Sequence, residues 1–107
     1  MRPEQTALLC ILIFALAAPV AASGVARTIT PSGDGLDVTL TVNDIPVGGI
    51  VETLPGGCIW TETDHPADRT RFSGQQAAFA VIGEETIHYR VQGPPEAAEA
   101  FTGTWED

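Results

Sequence analysis

The chain has 107 residues, of which 44% are hydrophobic and 18% are charged, and its formal net charge is −9. This length allows one small domain and excludes a multidomain enzyme. The acidic balance excludes the basic face that a nucleic-acid-binding protein needs to neutralise phosphate. The two cysteines are too few for a disulfide-rich scaffold or a four-cysteine zinc site.

The first 22 residues have the layout of a secretory signal peptide. A wholly apolar run at 7–18 follows Arg2, Pro19 ends the run, and small residues at 20–22 form a cleavage site. We therefore predict a signal helix at 1–22, followed by one domain at 23–107. The alternative is a retained membrane anchor, because residues 7–26 carry no charge and reach the length of about 20 residues that spanning requires. The predicted location is extracellular or at the cell surface, or membrane-anchored if the leader is retained.

Beyond residue 22, four Arg face thirteen carboxylates and Lys is absent, so the leader contributes nothing to the charge of −9. Such a chain repels its own copies, and salt relieves that repulsion. Cys58 is the one thiol of this part, so an internal disulfide is excluded. A buried Cys that packs as a small hydrophobic residue is the favoured interpretation, and an intermolecular disulfide is the alternative.

Short segments rich in apolar residues alternate with clusters of Gly, Pro and Asp after the leader. The clearest is 36–42, where apolar and polar residues alternate with a period of two, which indicates one buried and one wet face. Strands are predicted at 25–30, 36–42, 47–54, 58–63, 69–73, 77–82, 86–92 and 101–105. The segment 69–73 is predicted to be a short edge strand, the apolar run 77–82 a buried strand, and 96–100 a single helical turn. With no long helical pattern, about seven short strands predict an all-β antiparallel sandwich.

Four strand segments carry a family resemblance, VTLTV at 38–42, GIVETLPGG at 49–57, IHYRV at 87–91 and FTGTW at 101–105. In this order they resemble the small immunoglobulin-like or cohesin-like surface modules of archaeal and bacterial cell-envelope proteins. The resemblance implies an immunoglobulin-like β-sandwich outside the cytoplasm, with no catalytic residues to carry over. Cys58 stands where such modules have an aromatic residue. They also continue into another strand beyond 101–105, so an exposed edge here would invite strand addition by a partner.

Acidic residues in turns are the first candidates for a metal site. The candidates are Asp34, Asp37 and Asp44, which flank the turn predicted at 31–35 and the strand at 36–42. They lack the Asp-x-Asp-x-Asp-Gly run of a calcium loop, so solvated turn carboxylates are the favoured interpretation. His65 lies between Asp64 and Asp68, but two His in the chain are too few for a closed zinc site, and His88 is expected to face outward. We predict a surface His65, no metal and no cofactor.

Catalysis and sugar binding have little support in the sequence. No Gly-x-Ser-x-Gly elbow occurs and no pairing of Cys with His is suggested, so we predict that the protein is not an enzyme. A carbohydrate-binding platform would use Trp60, Tyr89 or Trp105 as exposed rings. Core packing is favoured for Trp60 and Tyr89, because a small sandwich needs large side chains inside, and Trp105 is left open.

The leading hypothesis is a secreted or cell-surface module that acts through protein–protein contact or envelope assembly. The candidate interaction residues are Trp105, Phe101 and Cys58, and the expected partners are other cell-envelope proteins or copies of the chain itself. No nucleic-acid partner is expected, and membrane contact is expected only if the leader is retained. The alternatives are a small carbohydrate-binding module and a membrane-tethered accessory subunit.

Overall fold

The computed structural model describes residues 24–107, together with the backbone of two short leader strands, β1 (Ala7–Leu8) and β2 (Cys10–Ile13). Alternating apolar and polar residues make most of the described chain extended. The remaining strands are β3 (Gly24–Ser32), β4 (Gly35–Asn43), β5 (Val47–Thr53), β6 (Ile59–Thr63), β7 (Thr70–Ser73), β8 (Gln76–Ile82), β9 (Thr86–Gln92) and β10 (Thr102–Glu106). Two short 3-10 helices lie at Ala67–Arg69 and Pro95–Ala100.

The eight strands of residues 24–107 form two four-stranded sheets. Sheet I has the order β10-β5-β8-β7, sheet II has the order β3-β4-β9-β6, and all these neighbours are antiparallel. The predicted antiparallel β-sandwich is therefore confirmed. Every predicted strand from residue 25 onward is present within two residues of its predicted ends. The short edge strand and the helical turn are also confirmed, as β7 and the 3-10 helix Pro95–Ala100.

The described parts of the leader are strands. β1 pairs antiparallel with β10 in sheet I, and β2 pairs parallel with β3 in sheet II. The predicted signal helix is therefore not supported, and the other leader residues lie outside the described ones. Cleavage after Ala22, the division into 1–22 and 23–107, and retention of 7–26 as an anchor stay predictions. No helix in the described part of the chain is long and apolar enough to cross a membrane.

The core lies between the sheets and follows the predicted period of two. In β4, Leu36, Val38, Leu40 and Val42 are all buried, and their polar neighbours point outward. Sheet I contributes a matching inner row that includes Ile50, Phe79 and Val81. Burying each aliphatic or Phe side chain of this size contributes roughly 1.5–3 kcal/mol, so the facing inner rows hold the two sheets together.

The β3–β4 hairpin depends on two glycines. Gly33 has φ 61° and opens the two-residue loop, a backbone conformation that most L side chains avoid. A Cβ at Gly35 would lie 2.4 Å from the backbone oxygen of Val91, so the neighbouring strand β9 approaches closely only because this residue has no side chain. Both glycines fix where β3 ends and β4 begins.

Strand β8 differs from its prediction as a buried strand. Ala77, Phe79 and Val81 are buried in the core, but Ala80 and Ile82 on the opposite side are exposed. The strand is therefore covered on one side only, because no element within residues 24–107 packs over the outer surface of sheet I. Its apolar outer side is a surface feature.

Candidate functional site

A fully buried ion pair ties the two sheets together in the interior. The Arg27 guanidinium on β3 donates from Nε and Nη2 to the two carboxylate oxygens of Glu52 on β5, at 2.8 and 2.7 Å. The Tyr89 hydroxyl on β9 donates to Glu52 Oε1 at 2.6 Å, and Arg27 Nη1 donates to the Phe101 backbone oxygen at 3.4 Å. Arg27 and Glu52 have no exposed surface. This enclosed cluster can hold the sheets in register but cannot reach a substrate.

The electrostatics of this cluster follow from its burial. Burial and the adjacent Glu52 carboxylate both raise the pKa of Tyr89, so the phenol keeps its proton and acts as a donor. All buried side-chain nitrogen and oxygen atoms in the described residues have hydrogen-bond partners. Sequence reasoning missed Arg27 and Glu52. The period of two could have found them, because Arg27 lies between the inward Val25 and Ile29.

The three predicted interaction residues are all core residues. Phe101 has no exposed surface, Cys58 is 3% exposed, and Trp105 is 9% exposed with its indole against Gly24. Their side chains are therefore not presented at the surface, and contact through the backbone edge of β10 or through a Cys58 disulfide stays a prediction. Each sits on an inward position, where an apolar side chain is stabilised by leaving water.

Cys58 confirms the interpretation as a small buried hydrophobic residue. It belongs to the core cluster, and a Cβ added at Gly93 would lie 2.8 Å from its Sγ atom. Burial raises the pKa of the thiol, which disfavours the reactive thiolate. An intermolecular disulfide through Cys58 would therefore require this end of the sandwich to open.

Stacked aromatic rings close the gap between the sheets where β6 and β7 form their edges. Trp60 stacks on Phe72 and on Tyr89, with its ring centroid 5.1 and 5.3 Å from theirs. Core packing is confirmed for Tyr89, and Trp60 is partly buried against the same core. Because the Trp60 ring packs against three other aromatic rings and Trp105 is buried, neither ring is a free platform for a sugar.

The candidate metal residues do not converge within the described part of the chain, where no group of three or more His, Cys, Asp or Glu could hold a metal ion. Asp34 and Asp37 form ion pairs with Arg90 at 3.4 and 2.8 Å.

The prediction of a surface His65 is wrong. His65 is 6% exposed, and its Nε2 donates to the Ala80 backbone oxygen at 2.7 Å, which anchors the loop before β7. His88 is exposed as expected.

The outer surface of sheet I carries a contiguous apolar patch, which we name the apolar face. It consists of Val47, Gly49, Val51, Ala78, Ala80 and Ile82. The larger members are well exposed, with Val47 at 65%, Ile82 at 58% and Val51 at 37%. Small residues in the middle leave a shallow groove of about 530 Å³ across β10, β5, β8 and β7. Sequence reasoning missed this face, although the apolar run 77–82 was its signal.

Opposite charges border the apolar face. On β7, Arg71 is exposed and forms no ion pair with any described residue, and on β10, Glu106 is likewise unpaired among the described residues. Arg71, Ala78, Val51 and Thr104 lie in one row across the sheet. Glu106 lies one row further, beside Gly49 and Ala80. The face therefore has the Arg71 cation at its β7 rim, where Asp68 and the Arg69–Glu84 pair also lie, and the Glu106 carboxylate at its β10 rim.

A second charged group at the β7 rim is already satisfied. Arg69 forms an ion pair with Glu84, and the Ile82 backbone N–H donates to Glu84 Oε1 at 2.7 Å. Burial alone would raise the pKa of Glu84, but this hydrogen bond and the Arg69 charge outweigh burial and lower the pKa. Asp68 is the remaining charged residue here, in the turn beside Arg69. Arg71 is thus the cation of this rim that can serve a contact outside the chain.

The outer surface of sheet II has the opposite character, and we name it the polar face. Its members are Thr28, Thr30, Asp37, Thr39, Thr41, Thr86, His88 and Arg90, and one exposed apolar residue, Ile59 on β6, lies at its border. Several are paired within the face, because Thr39 Oγ1 lies 3.0 Å from His88 Nδ1 and Arg90 Nη1 donates to Asp37 at 2.8 Å. This surface satisfies its own hydrogen-bonding groups and water covers the rest.

Comparison with known proteins assigns no family. No protein-family model and no curated protein matches the chain. A solved structure that it resembles is the solution structure of the chitin-binding domain of a hyperthermophilic chitinase from Pyrococcus furiosus, with a TM-score of 0.48 and 18% identity over 75% of this chain and 84% of that chain. At this level the likeness assigns neither family nor ligand. The chain is a small all-β sandwich, and its immunoglobulin-like or cohesin-like assignment stays a prediction that no family match confirms.

Proposed function

We propose that the protein is a non-enzymatic β-sandwich module that acts by binding another protein through the apolar face. The observation that carries this proposal is the exposure of Val47, Val51 and Ile82 around a groove of small residues on an otherwise acidic molecule. Contiguous exposed apolar patches with polar rims are typical of interaction sites. The polar face of the same domain has no such patch, so the apolar outer surface is not a general property of this fold.

The chemistry of the apolar face suits a protein partner. Gly49, Ala78 and Ala80 keep the centre low, so a partner's side chains can enter the groove and exclude water. Removing this surface from water supplies the affinity, because the hydrophobic effect grows with the apolar area buried. Arg71 and Glu106 at the rims orient the partner through charge complementarity.

The proposal includes a location outside the cytoplasm, where envelope proteins are the expected partners. Its support is the leader layout at 1–22. Amino-terminal sequencing of the mature protein tests it, and a start at Met1 would overturn cleavage and favour a membrane-tethered subunit. Addition of a partner's strand at β10 stays a further prediction. In the structure, β1 of the leader occupies this position and pairs with Thr104 and Trp105.

Crosslinking in intact cells of the producing organism tests the docking proposal. The full-length sequence is expressed as wild type, Val51→Lys and Thr39→Lys, and crosslinked proteins are identified by mass spectrometry. Both variants add the same charge, one in the apolar face and one in the polar face. We expect a partner, or a second copy, whose crosslinking falls about tenfold in Val51→Lys and is unchanged in Thr39→Lys. Equal yields from all three chains would overturn the proposal.

A further inference from the structure

One unpaired cation and one unpaired carboxylate among the described residues lie at opposite rims of the apolar face, with Asp68 as a further acidic residue at the β7 rim. The described residues beyond the leader contain four Arg, of which Arg27 is buried with Glu52, Arg69 pairs with Glu84, and Arg90 pairs with Asp34 and Asp37. The remaining Arg71 stands at one rim of the apolar face, and Glu106 stands at the opposite rim. A surface that carries its own countercharge on the far side can pair with a copy of itself.

We infer that the partner of the apolar face is a second copy of this chain, packed face to face in a symmetric dimer; this inference rests on the proposed function. In the four-stranded sheet of residues 24–107, which the predicted cleavage of the leader leaves, a two-fold axis parallel to the strands places the β7 rim of one copy over the β10 rim of the other. Arg71 of one copy then faces Thr104 of the other copy. Glu106 of that other copy lies two residues beyond Thr104 on β10. Two residues span about 6.8 Å, which an Arg side chain can bridge.

The opposite orientation is disfavoured by charge. An axis across the strands would bring the two Arg71 side chains to the same rim and the two Glu106 side chains to the other. Like charges placed together at an interface oppose association. The strand-parallel axis instead forms the Arg71–Glu106 pair twice, once at each rim, and packs Val51 and Ala78 of both copies at the centre.

The size of the face predicts a weak dimer. Four strands at a spacing of about 4.8 Å and a length of about 20 Å give roughly 400 Å² per copy. The total of roughly 800 Å² is below the 1,200–2,000 Å² of stable complexes, so we expect a dissociation constant on the order of 0.1 mM or weaker. The net charge of −9 on each copy opposes association further. Salt should therefore strengthen the dimer by screening this repulsion.

Sedimentation velocity measures the association directly. The protein is expressed from the full-length sequence, purified as the cell leaves it, and studied from about 10 µM to about 1 mM. We expect a shift from monomer to dimer with concentration, and a stronger shift when NaCl rises from about 0.1 M to about 1 M, where the Debye length falls from about 10 Å to about 3 Å. Val51→Lys should abolish the shift, and Thr39→Lys on the polar face should leave it unchanged.

A charge-reversal cycle identifies the contact. Arg71→Glu and Glu106→Arg should each weaken dimerisation about fivefold to tenfold, and the double variant should restore it. The double variant keeps the wild-type net charge. Glu106→Arg also lowers the overall repulsion, so general charge effects predict stronger association and the proposed pair predicts weaker association. Circular dichroism and a denaturation curve show that each variant is folded.

The results separate this inference from the proposed function. A chain that stays monomeric at about 1 mM and 1 M NaCl, or a dimer that both single reversals leave intact, overturns the second-copy inference. If the monomeric chain still crosslinks to a different protein in cells through Val51, the docking proposal survives with another partner. If it crosslinks to nothing, both fail.

Discussion

The two outer faces of the sandwich share one core but differ in chemistry. Both sheets have four antiparallel strands within residues 24–107, and both alternate between inward and outward residues. In the two central strands of sheet II the outward positions are mostly Thr, Asp, His and Arg, and in those of sheet I they are mostly Val, Gly, Ala and Ile. Since the shared core accounts for the inward residues alone, the outward residues carry the functional information.

The two faces also differ in whether their hydrogen-bonding groups are paired within the face. The polar face pairs Asp37 with Arg90 and Thr39 with His88, so it needs only water as a neighbour. The apolar face has no hydrogen-bonding side chains in its centre, and its exposure to water is unfavourable. Covering the apolar face with a partner is therefore favourable. A partner on the polar face would instead have to replace hydrogen bonds that the protein already makes.

The largest expected effect is on the core that both faces share. Glu52→Ala leaves the buried Arg27 guanidinium and the Tyr89 hydroxyl without their partner, so we expect the free energy of unfolding to fall by about 3–5 kcal/mol. Chemical denaturation measures this, with the exposed Glu99→Ala as the control for loss of a carboxylate. A loss below about 1 kcal/mol would contradict the role of the ion pair as the tie between the sheets.

A smaller effect is expected where the edges of the two sheets meet. Phe72→Ala removes the ring that covers one face of Trp60, and we expect a loss of about 1–2 kcal/mol, because Phe72 is only partly buried. The Trp60 fluorescence should shift to longer wavelength as water reaches the indole. Ser73→Ala on the same strand serves as the control. An unchanged emission maximum would show that Phe72 does not shield Trp60.

Alkaline pH probes the closed interior that lies behind both faces. Tyr89 is the one Tyr of the chain, and its pKa is raised in the folded state, so the folded protein holds a proton that the unfolded protein loses above its ordinary pKa of about 10. Stability from this group is complete below about pH 10 and falls above it, by about 1 kcal/mol at pH 11. Tyrosinate absorbance should appear only on unfolding. A smooth titration near pH 10 in the folded protein would contradict this.

The smallest expected change in stability gives the sharpest test of the two faces. The double variant Val47→Thr/Ile82→Thr makes exposed positions of sheet I resemble sheet II, and we expect the free energy of unfolding to change by about 0.5 kcal/mol or less. Binding of the neutral dye Nile red should nevertheless fall several-fold. Thr39→Val in the polar face is the matched control and should not lower it. Unchanged Nile red binding in the Val47→Thr/Ile82→Thr variant would show that the dye binds an apolar surface elsewhere on the protein.

The fold was largely predictable because local pattern and burial agree. The alternation of 36–42 and the turn residues around Gly33 and Asp34 predict β4 and the turn before it, and the structure confirms both. The candidate site was not predictable in the same way. Phe101, Trp105 and Cys58 were predicted as interaction residues, but the structure buries all three side chains in the core. An apolar run shows that both sides of a strand are apolar, but it does not show which side the fold covers.

The sequence by itself determined the strands, the turns and the acidic surface, since these depend on neighbouring residues and on composition. Only the tertiary structure decided that Arg27 meets Glu52 across the sandwich and that the outer side of β8 is uncovered. It also placed Arg71 and Glu106 at opposite rims of one face. These relations join residues far apart in the chain, and they arise from which strands pair and which sheets pack, which no local pattern specifies.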